Sequence, residues 1–213
     1  TQKGIYFFYF SDDTFTYKKQ WVQAICQEII RRRLHITWVA IARVNHIQAD
    51  ILGWTRKAGC IQISFGIESG SQKIRRELNK PIKTAQIKKA FDLVKYYGIM
   101  PRAYFIYGSP GESEETIQAS IDLIQTIKPL SIITYILDIF PGTHIYQAML
   151  EQGHITEDIW HKRIEDLLYF EIDDRLDPKS ILAWGNAIRQ AFYHNLPLFV
   201  EDVDLIKDPE FNR

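Results

Sequence analysis

Polar and charged side chains fall at one recurrent place in this 213-residue sequence, directly after runs of apolar residues. The run at 5–10 (IYFFYF) leads into Ser11-Asp12-Asp13, and that at 36–42 (ITWVAIA) into Arg43-Val44-Asn45-His46. The run at 61–65 (IQISF) leads into Gly66-Ile67-Glu68-Ser69-Gly70. The run at 102–107 (RAYFIY) leads into Gly108-Ser109-Pro110-Gly111-Glu112. The run at 131–138 (SIITYILD) ends in Asp138, with Pro141-Gly142-Thr143 just beyond. Carboxylates can hold an ammonium group or move a proton, and a guanidinium can hold an anion. Glycine-rich turns let the backbone approach a ligand closely. Each group also has a plain structural use. Asp12-Asp13 before Thr14 suit a turn or a helix cap, and Arg43 suits a rim ion pair. The 66–70 turn also suits a simple strand-to-helix connection. Acidic Glu112, Glu114 and Glu115 crowd the helix start that follows Gly108, which argues against a phosphate there.

The elements that would position these groups alternate. The five runs have the composition of strands and are near-continuously apolar, as expected for strands covered on both faces of a parallel sheet. Between the first two, Val22, Ile25, Cys26, Ile29 and Ile30 fall at helical spacing. Ile87, Ala90, Phe91 and Val94 repeat that spacing, with Gly98 as a stop. Ile117, Ile121 and Ile124 do so again before Pro129, and 47–58 forms a weaker helix ending at Gly59. Further helices are expected at 143–152 and 178–194, separated by a mixed stretch at 160–174, with an irregular acidic tail from 197 to 213. Strands alternating with helices predict an α/β fold whose strand ends share one rim.

The 26 basic and 26 acidic side chains balance, so overall charge gives no reason to expect nucleic acid. Arg31-Arg32-Arg33 closes a helical pattern, where cations suit the dipole. No apolar run approaches the roughly 20 residues of a membrane span, and no signal-peptide pattern opens the chain. A cytoplasmic protein is expected. The six histidines show no metal-ligand spacing, no Gly-x-Ser-x-Gly elbow is present, and the two cysteines, Cys26 and Cys60, form no metal motif. The chain starts close to its first apolar run, without Met, and so reads as cut from something longer.

In combination and in this order, the segments Phe10-Ser11-Asp12-Asp13-Thr14-Phe15, Ala42-Arg43-Val44-Asn45, Gly59-Cys60, Gly66-Ile67-Glu68-Ser69-Gly70-Ser71, Leu78-Asn79-Lys80, Phe105-Ile106-Tyr107-Gly108-Ser109-Pro110-Gly111-Glu112 and Pro141-Gly142-Thr143 resemble the radical S-adenosylmethionine (radical SAM) superfamily. The similarity is to the subgroup whose members often carry an N-terminal cobalamin-binding domain, and it covers about residues 4–155. It implies strands two to six of a partial (β/α)6 barrel over 1–155, followed by a mainly helical extension over 156–213. The family's first strand and its Cys-x-x-x-Cys-x-x-Cys loop have no counterpart here.

By resemblance, a complete parent would bind a [4Fe–4S] cluster and S-adenosylmethionine, with cobalamin as a candidate further cofactor. It would cleave S-adenosylmethionine reductively to a 5′-deoxyadenosyl radical. The 213 residues alone would be inactive, since thiolates are the cluster ligands. The resemblance gives Asp12 and Asp13 to the methionyl amine and Arg43 to the cofactor's side of the rim. It gives Glu68 to ribose hydroxyls or the methionyl group, and Lys80 to the methionyl carboxylate. Ile106 and Gly108 match part of the adenine-side pattern Gly-x-Ile-x-Gly-x-x-Glu, in which Tyr104 and Gly111 replace the first Gly and the Glu. Two other readings compete. One is a non-catalytic interaction module derived from a barrel that lost its cluster. The other is an unrelated α/β enzyme using Asp12, Asp13 or Glu68 as base. The edge at Tyr6, Phe7, Phe8 and Tyr9 would favour self-association or coverage by another segment.

Overall fold

A computed structural model describes residues 3–162, 168–172 and 177–201. Strand β1 (Phe7–Phe10) is followed by helix α1 (Lys19–Arg31), β2 (Thr37–Ala42), α2 (Ala49–Lys57) and β3 (Cys60–Glu68). Then come α3 (Gln72–Glu77), α4 (Thr84–Tyr96), β4 (Met100–Tyr107), α5 (Glu114–Ile127) and β5 (Ser131–Ile136). The chain continues with α6 (His144–Glu151), two short helices, α7 (Ile159–Lys162) and α8 (Tyr169–Ile172), and the long α9 (Pro178–Glu201). The five strands form one all-parallel sheet in the order β1-β2-β3-β4-β5. Each of the first four connections carries a helix, as parallel neighbours require.

The sheet curls into a half-barrel. β1 and β4 are three places apart in the strand order, yet Tyr9 and Tyr104 share a side-chain hydrogen bond. Burial and that bond push the Tyr9 hydroxyl pKa up. The Tyr104 ring also meets Tyr135 edge-on, with centroids 6.2 Å apart. On β4 burial alternates strictly: Pro101, Ala103, Phe105 and Tyr107 are buried, while Arg102, Tyr104 and Ile106 are partly open. The expected burial of every strand on both faces thus holds only near the middle of the sheet. β1 is largely exposed and β5 is partly open along most of its length, because each has a sheet neighbour on one side only.

The core lies between the outer face of the sheet and the helices. Trp38, Phe65, Phe91, Phe105 and Ile124 are fully buried in it. Trp38 also donates its indole N–H to the Ala58 carbonyl at 2.8 Å. α9 supplies Ile181, Ile188, Phe192 and Phe199 to the same core and packs on α5 and β5. It runs on through Pro197 to Glu201, past the stop expected near 194. Phe199, two residues beyond Pro197, is buried in that core. The rest of the expected tail, 202–213, lies outside the described residues, as do 163–167 and 173–176 of the mixed stretch.

β3 is longer than its apolar run, because the pairing continues through Gly66 to Glu68. β5 is shorter, and Asp138 lies beyond it in an isolated antiparallel bridge with Leu168. No helix among the described residues is long and apolar enough to cross a membrane.

Candidate functional site at the C-terminal rim of the half-barrel

The site begins at the end of β3. The register against β4 shifts between Gly66 and Glu68, so Ile67 is an extra residue on the bulged strand. Glu68 then takes a left-handed backbone, φ +66. That conformation costs a non-glycine residue roughly 1–2 kcal/mol. It turns the carboxylate onto Lys80, twelve residues on, with which it forms an ion pair. The pair rests on Gly66: a Cβ there would run into both the carboxylate and the ammonium. Glu68 is well shielded and Lys80 partly so, with side chains 14% and 31% exposed.

Two neighbouring segments fix the turn. Gly70 lies so close to α5 that a Cβ would collide with the backbone of Ala119 and Ser120. Its N–H donates to the Ser120 hydroxyl at 2.8 Å, and Ser69 and Ser120 share a 3.4 Å hydroxyl contact. Asn79, at φ +52, reverses the chain out of α3, and the Lys80 N–H donates back to the Arg75 carbonyl at 2.7 Å.

Lys80 and Arg43 line one cavity of about 470 Å³, together with Asn45, Gly66, Asn79 and Gln86. A second, more apolar cavity of about 920 Å³ opens beside it at the ends of β4 and β5. Ile106, Tyr135, Leu137, Phe140 and Ile145 line it, with Asp138 and His144 as polar groups. Leu78 and Asn79 form the wall common to both.

The candidate residues therefore separate. Arg43 and Lys80 line the smaller cavity, Glu68 lines neither and reaches the smaller one only through its pair with Lys80, and Arg43 makes no ion pair among the described residues. Ile106 lines the larger one. Gly108, at φ +78, is buried near Ile136 and Ile181 and lines neither. Asp12 and Asp13 lie exposed in the loop after β1 and line neither cavity. Residue type alone does not mark Arg75 or Asn79 as functional. Asn79 has a signal in the Leu78-Asn79-Lys80 segment, whereas nothing in the sequence marks Arg75 as buried.

The loop after β4 turns its amides inward. The Glu112 carboxylate accepts the Ser109 N–H at 2.9 Å and is also bonded by the Gly108 N–H. Those donors are thus already occupied by a side chain of the same loop, in line with the argument against a phosphate. Burial pushes the Glu112 pKa up to about 7, against the lowering effect of the two amides.

The chain's own cysteines do not fit a metal cluster. Cys26 and Cys60 are both fully buried, and Cys60 starts β3, at the end of the strand remote from the rim. Burial pushes the Cys26 thiol up to about 12 and raises Cys60 as well, whereas a ligand must be a thiolate. No cluster of three His, Cys, Asp or Glu side chains suited to a metal occurs among the described residues.

Comparison with known proteins agrees with the half-barrel fold. The sequence profile described as the Radical SAM superfamily matches residues 1–124. An uncharacterised methyltransferase of Pyrococcus horikoshii is 30% identical over 153 residues, 72% of this chain and 33% of that protein. The anaerobic magnesium-protoporphyrin IX monomethyl ester cyclase of Rubrivivax gelatinosus is 32% identical over 130 residues, 60% of this chain and 23% of that protein. The radical S-adenosylmethionine methyltransferase TsrM of Kitasatospora setae, solved with cobalamin and a [4Fe–4S] cluster bound, superposes with a TM-score of 0.65 at 18% identity. That match covers 71% of this chain and 31% of TsrM, and shows a shared fold. The chain thus spans about a third or less of each of these proteins. With the profile covering more than half of its length, the chain belongs to the radical SAM superfamily.

Proposed function

We propose that these residues form the S-adenosylmethionine-binding half-barrel of a radical enzyme of the methyltransferase or cyclase kind. The observation that carries the reading is the Glu68–Lys80 pair seated on Gly66, with Lys80 and Gly66 lining the cavity that Arg43 also lines. The residues there suit the molecule's amino acid end. Lys80 and Arg43 present cations to a carboxylate, and Glu68 presents an anion to an ammonium or to ribose hydroxyls. Asp12 and Asp13 add negative charge after β1, two strands from Glu68, without lining the cavity. Once bound and reduced at a cluster, S-adenosylmethionine supplies the radical or methyl group, and the protein orients it. The larger cavity suits an acceptor that is mostly apolar, with Ile106 of β4 in its lining. The names of the relatives favour methyl transfer or ring closure on such an acceptor. Cobalamin is a candidate second cofactor, in line with TsrM. On this reading the protein works in the cytoplasm.

The two buried cysteines supply no cluster ligands, so the 213 residues alone are expected to be inactive. The same observation favours one second reading, an interaction module that keeps the fold without the chemistry. The test is an anaerobic assay of the intact gene product after treatment with iron and sulfide, following 5′-deoxyadenosine and S-adenosylhomocysteine. Product from the intact protein and none from the 213 residues supports the enzyme. An intact protein that takes up no cluster under these conditions and yields neither product favours the module.

A further inference from the structure

Arg75 is fully buried, and no carboxylate is among its partners. Its guanidinium is spent on two separate stretches of chain. Nη1 donates to the carbonyls of Ser69 at 2.6 Å and Gly70 at 2.8 Å. Nε donates to the Ile82 carbonyl at 3.0 Å, and Nη2 to the Thr84 hydroxyl at 2.9 Å. Ser69 and Gly70 directly follow Glu68, while Ile82 and Thr84 lie just beyond Lys80. The Arg75 carbonyl also takes the Lys80 N–H. We propose that Arg75 is a positioning residue that clamps the turn carrying Glu68 to the segment carrying Lys80, and so sets the geometry of the pair.

Three physical points support this assignment. Burying a cation without a counter-ion is costly, and a leucine or methionine would fill the space without that cost. The planar fork reaches acceptors on both segments at once, which a lysine's single nitrogen does not. Glu68 sits in an unfavourable left-handed conformation that its surroundings must hold in place. Burial lowers the Arg75 pKa, but a guanidinium remains charged at any working pH.

The structural half of the proposal needs no ligand, while the functional half rests on the reading of the cavity given above. The test is a double-mutant cycle of Glu68→Gln and Lys80→Met, measured by denaturant unfolding of the 213-residue chain. It is run with Arg75 and with Arg75→Met. With Arg75, the two residues are expected to be coupled by at least about threefold in the unfolding constant. In Arg75→Met that coupling is expected to vanish. Persistence of the full coupling would overturn the proposal. Should Arg75→Met fail to fold, Arg75→Lys is expected to abolish the coupling and Thr84→Val to reduce it. Unchanged coupling in both would overturn the proposal equally.

Binding of S-adenosylmethionine and of its decarboxylated form separates the functional half. Arg75→Lys is expected to weaken the first by about tenfold and the second by no more than about twofold, since only the first carries the carboxylate assigned to Lys80. Equal loss of both would contradict positioning towards that carboxylate. Coupling that depends on Arg75, with neither compound bound by the unsubstituted chain, would support the clamp and refute the cavity's assignment.

Discussion

The Lys80 ammonium and the Glu68 carboxylate meet directly above the bare Cα of Gly66. Residues from two separate turns are brought together by a bulge, a left-handed glutamate and a short helix. Because the pair is only partly open to solvent, it is screened less than a surface pair. Removing one partner leaves the other charge half-buried. Lys80→Met is therefore expected to destabilise the chain by about 1–2 kcal/mol. Denaturant unfolding checks this, and a change within about 0.5 kcal/mol would show that the pair is no better than an exposed one.

Gly66→Ala tests the seat of the pair. The added methyl group displaces side-chain ends, not backbone, so the fold is expected to survive with a loss of about 1–2 kcal/mol. Gly70→Ala, by contrast, meets the backbone of α5, and a larger loss of about 3 kcal/mol is expected. Thermal unfolding of the two variants gives the order directly. The reverse order would contradict the packing described for this turn.

Much of the half-barrel was legible in the sequence, because parallel strands and amphipathic helices carry strong apolar patterns. The rim groups could be placed at strand ends for the same reason. The bulge at Ile67 was not legible, since an extra residue in a strand leaves the composition unchanged. Nor was the burial of Arg75, because a charged residue enters the interior only when tertiary structure brings carbonyls to it. Helix α3, six residues long, is too short to show a periodicity. Asp12 and Asp13 share the rim with Glu68 by topology, but their exposed loop lines neither cavity.

Glu112 should impart a pH dependence to stability. Its pKa is raised in the folded state, from 4.5 to about 7, so folding favours the protonated form. The stabilisation is fully present below about pH 4.5 and is lost as pH rises through about 7. A shift of that size corresponds to about 3 kcal/mol. Glu112→Gln is expected to remove this dependence and to be the more stable protein at pH 8. Unfolding curves for both proteins between pH 5 and pH 8 (about that range spans the titration) decide it, and parallel pH profiles would refute the assignment.

Neither cysteine should react in the native state. Both thiols are buried and held protonated, so a thiol-specific reagent is expected to modify Cys26 and Cys60 only on unfolding. Iron and sulfide should likewise add no cluster absorbance to the 213-residue chain. Rapid labelling of the folded chain would contradict this.

The β1 edge exposes Ile5, Tyr6, Phe7 and Tyr9, each 48% or more open. An unpaired apolar edge favours strand addition, so the 213-residue chain is expected to self-associate. Sedimentation should show a concentration-dependent increase in mass that Phe7→Lys reduces. A monomer at every concentration would refute the expectation.

Binding of S-adenosylmethionine at the Glu68–Lys80 rim is checked by an NMR titration of the 213-residue chain. Saturable shifts are expected at the backbone amides of Gly66, Asn79 and Lys80, with millimolar affinity or a little better. They should disappear in Lys80→Met while the remainder of the spectrum stays folded. Shifts confined to other surfaces, or binding that Lys80→Met leaves unchanged, would contradict the assignment of this rim.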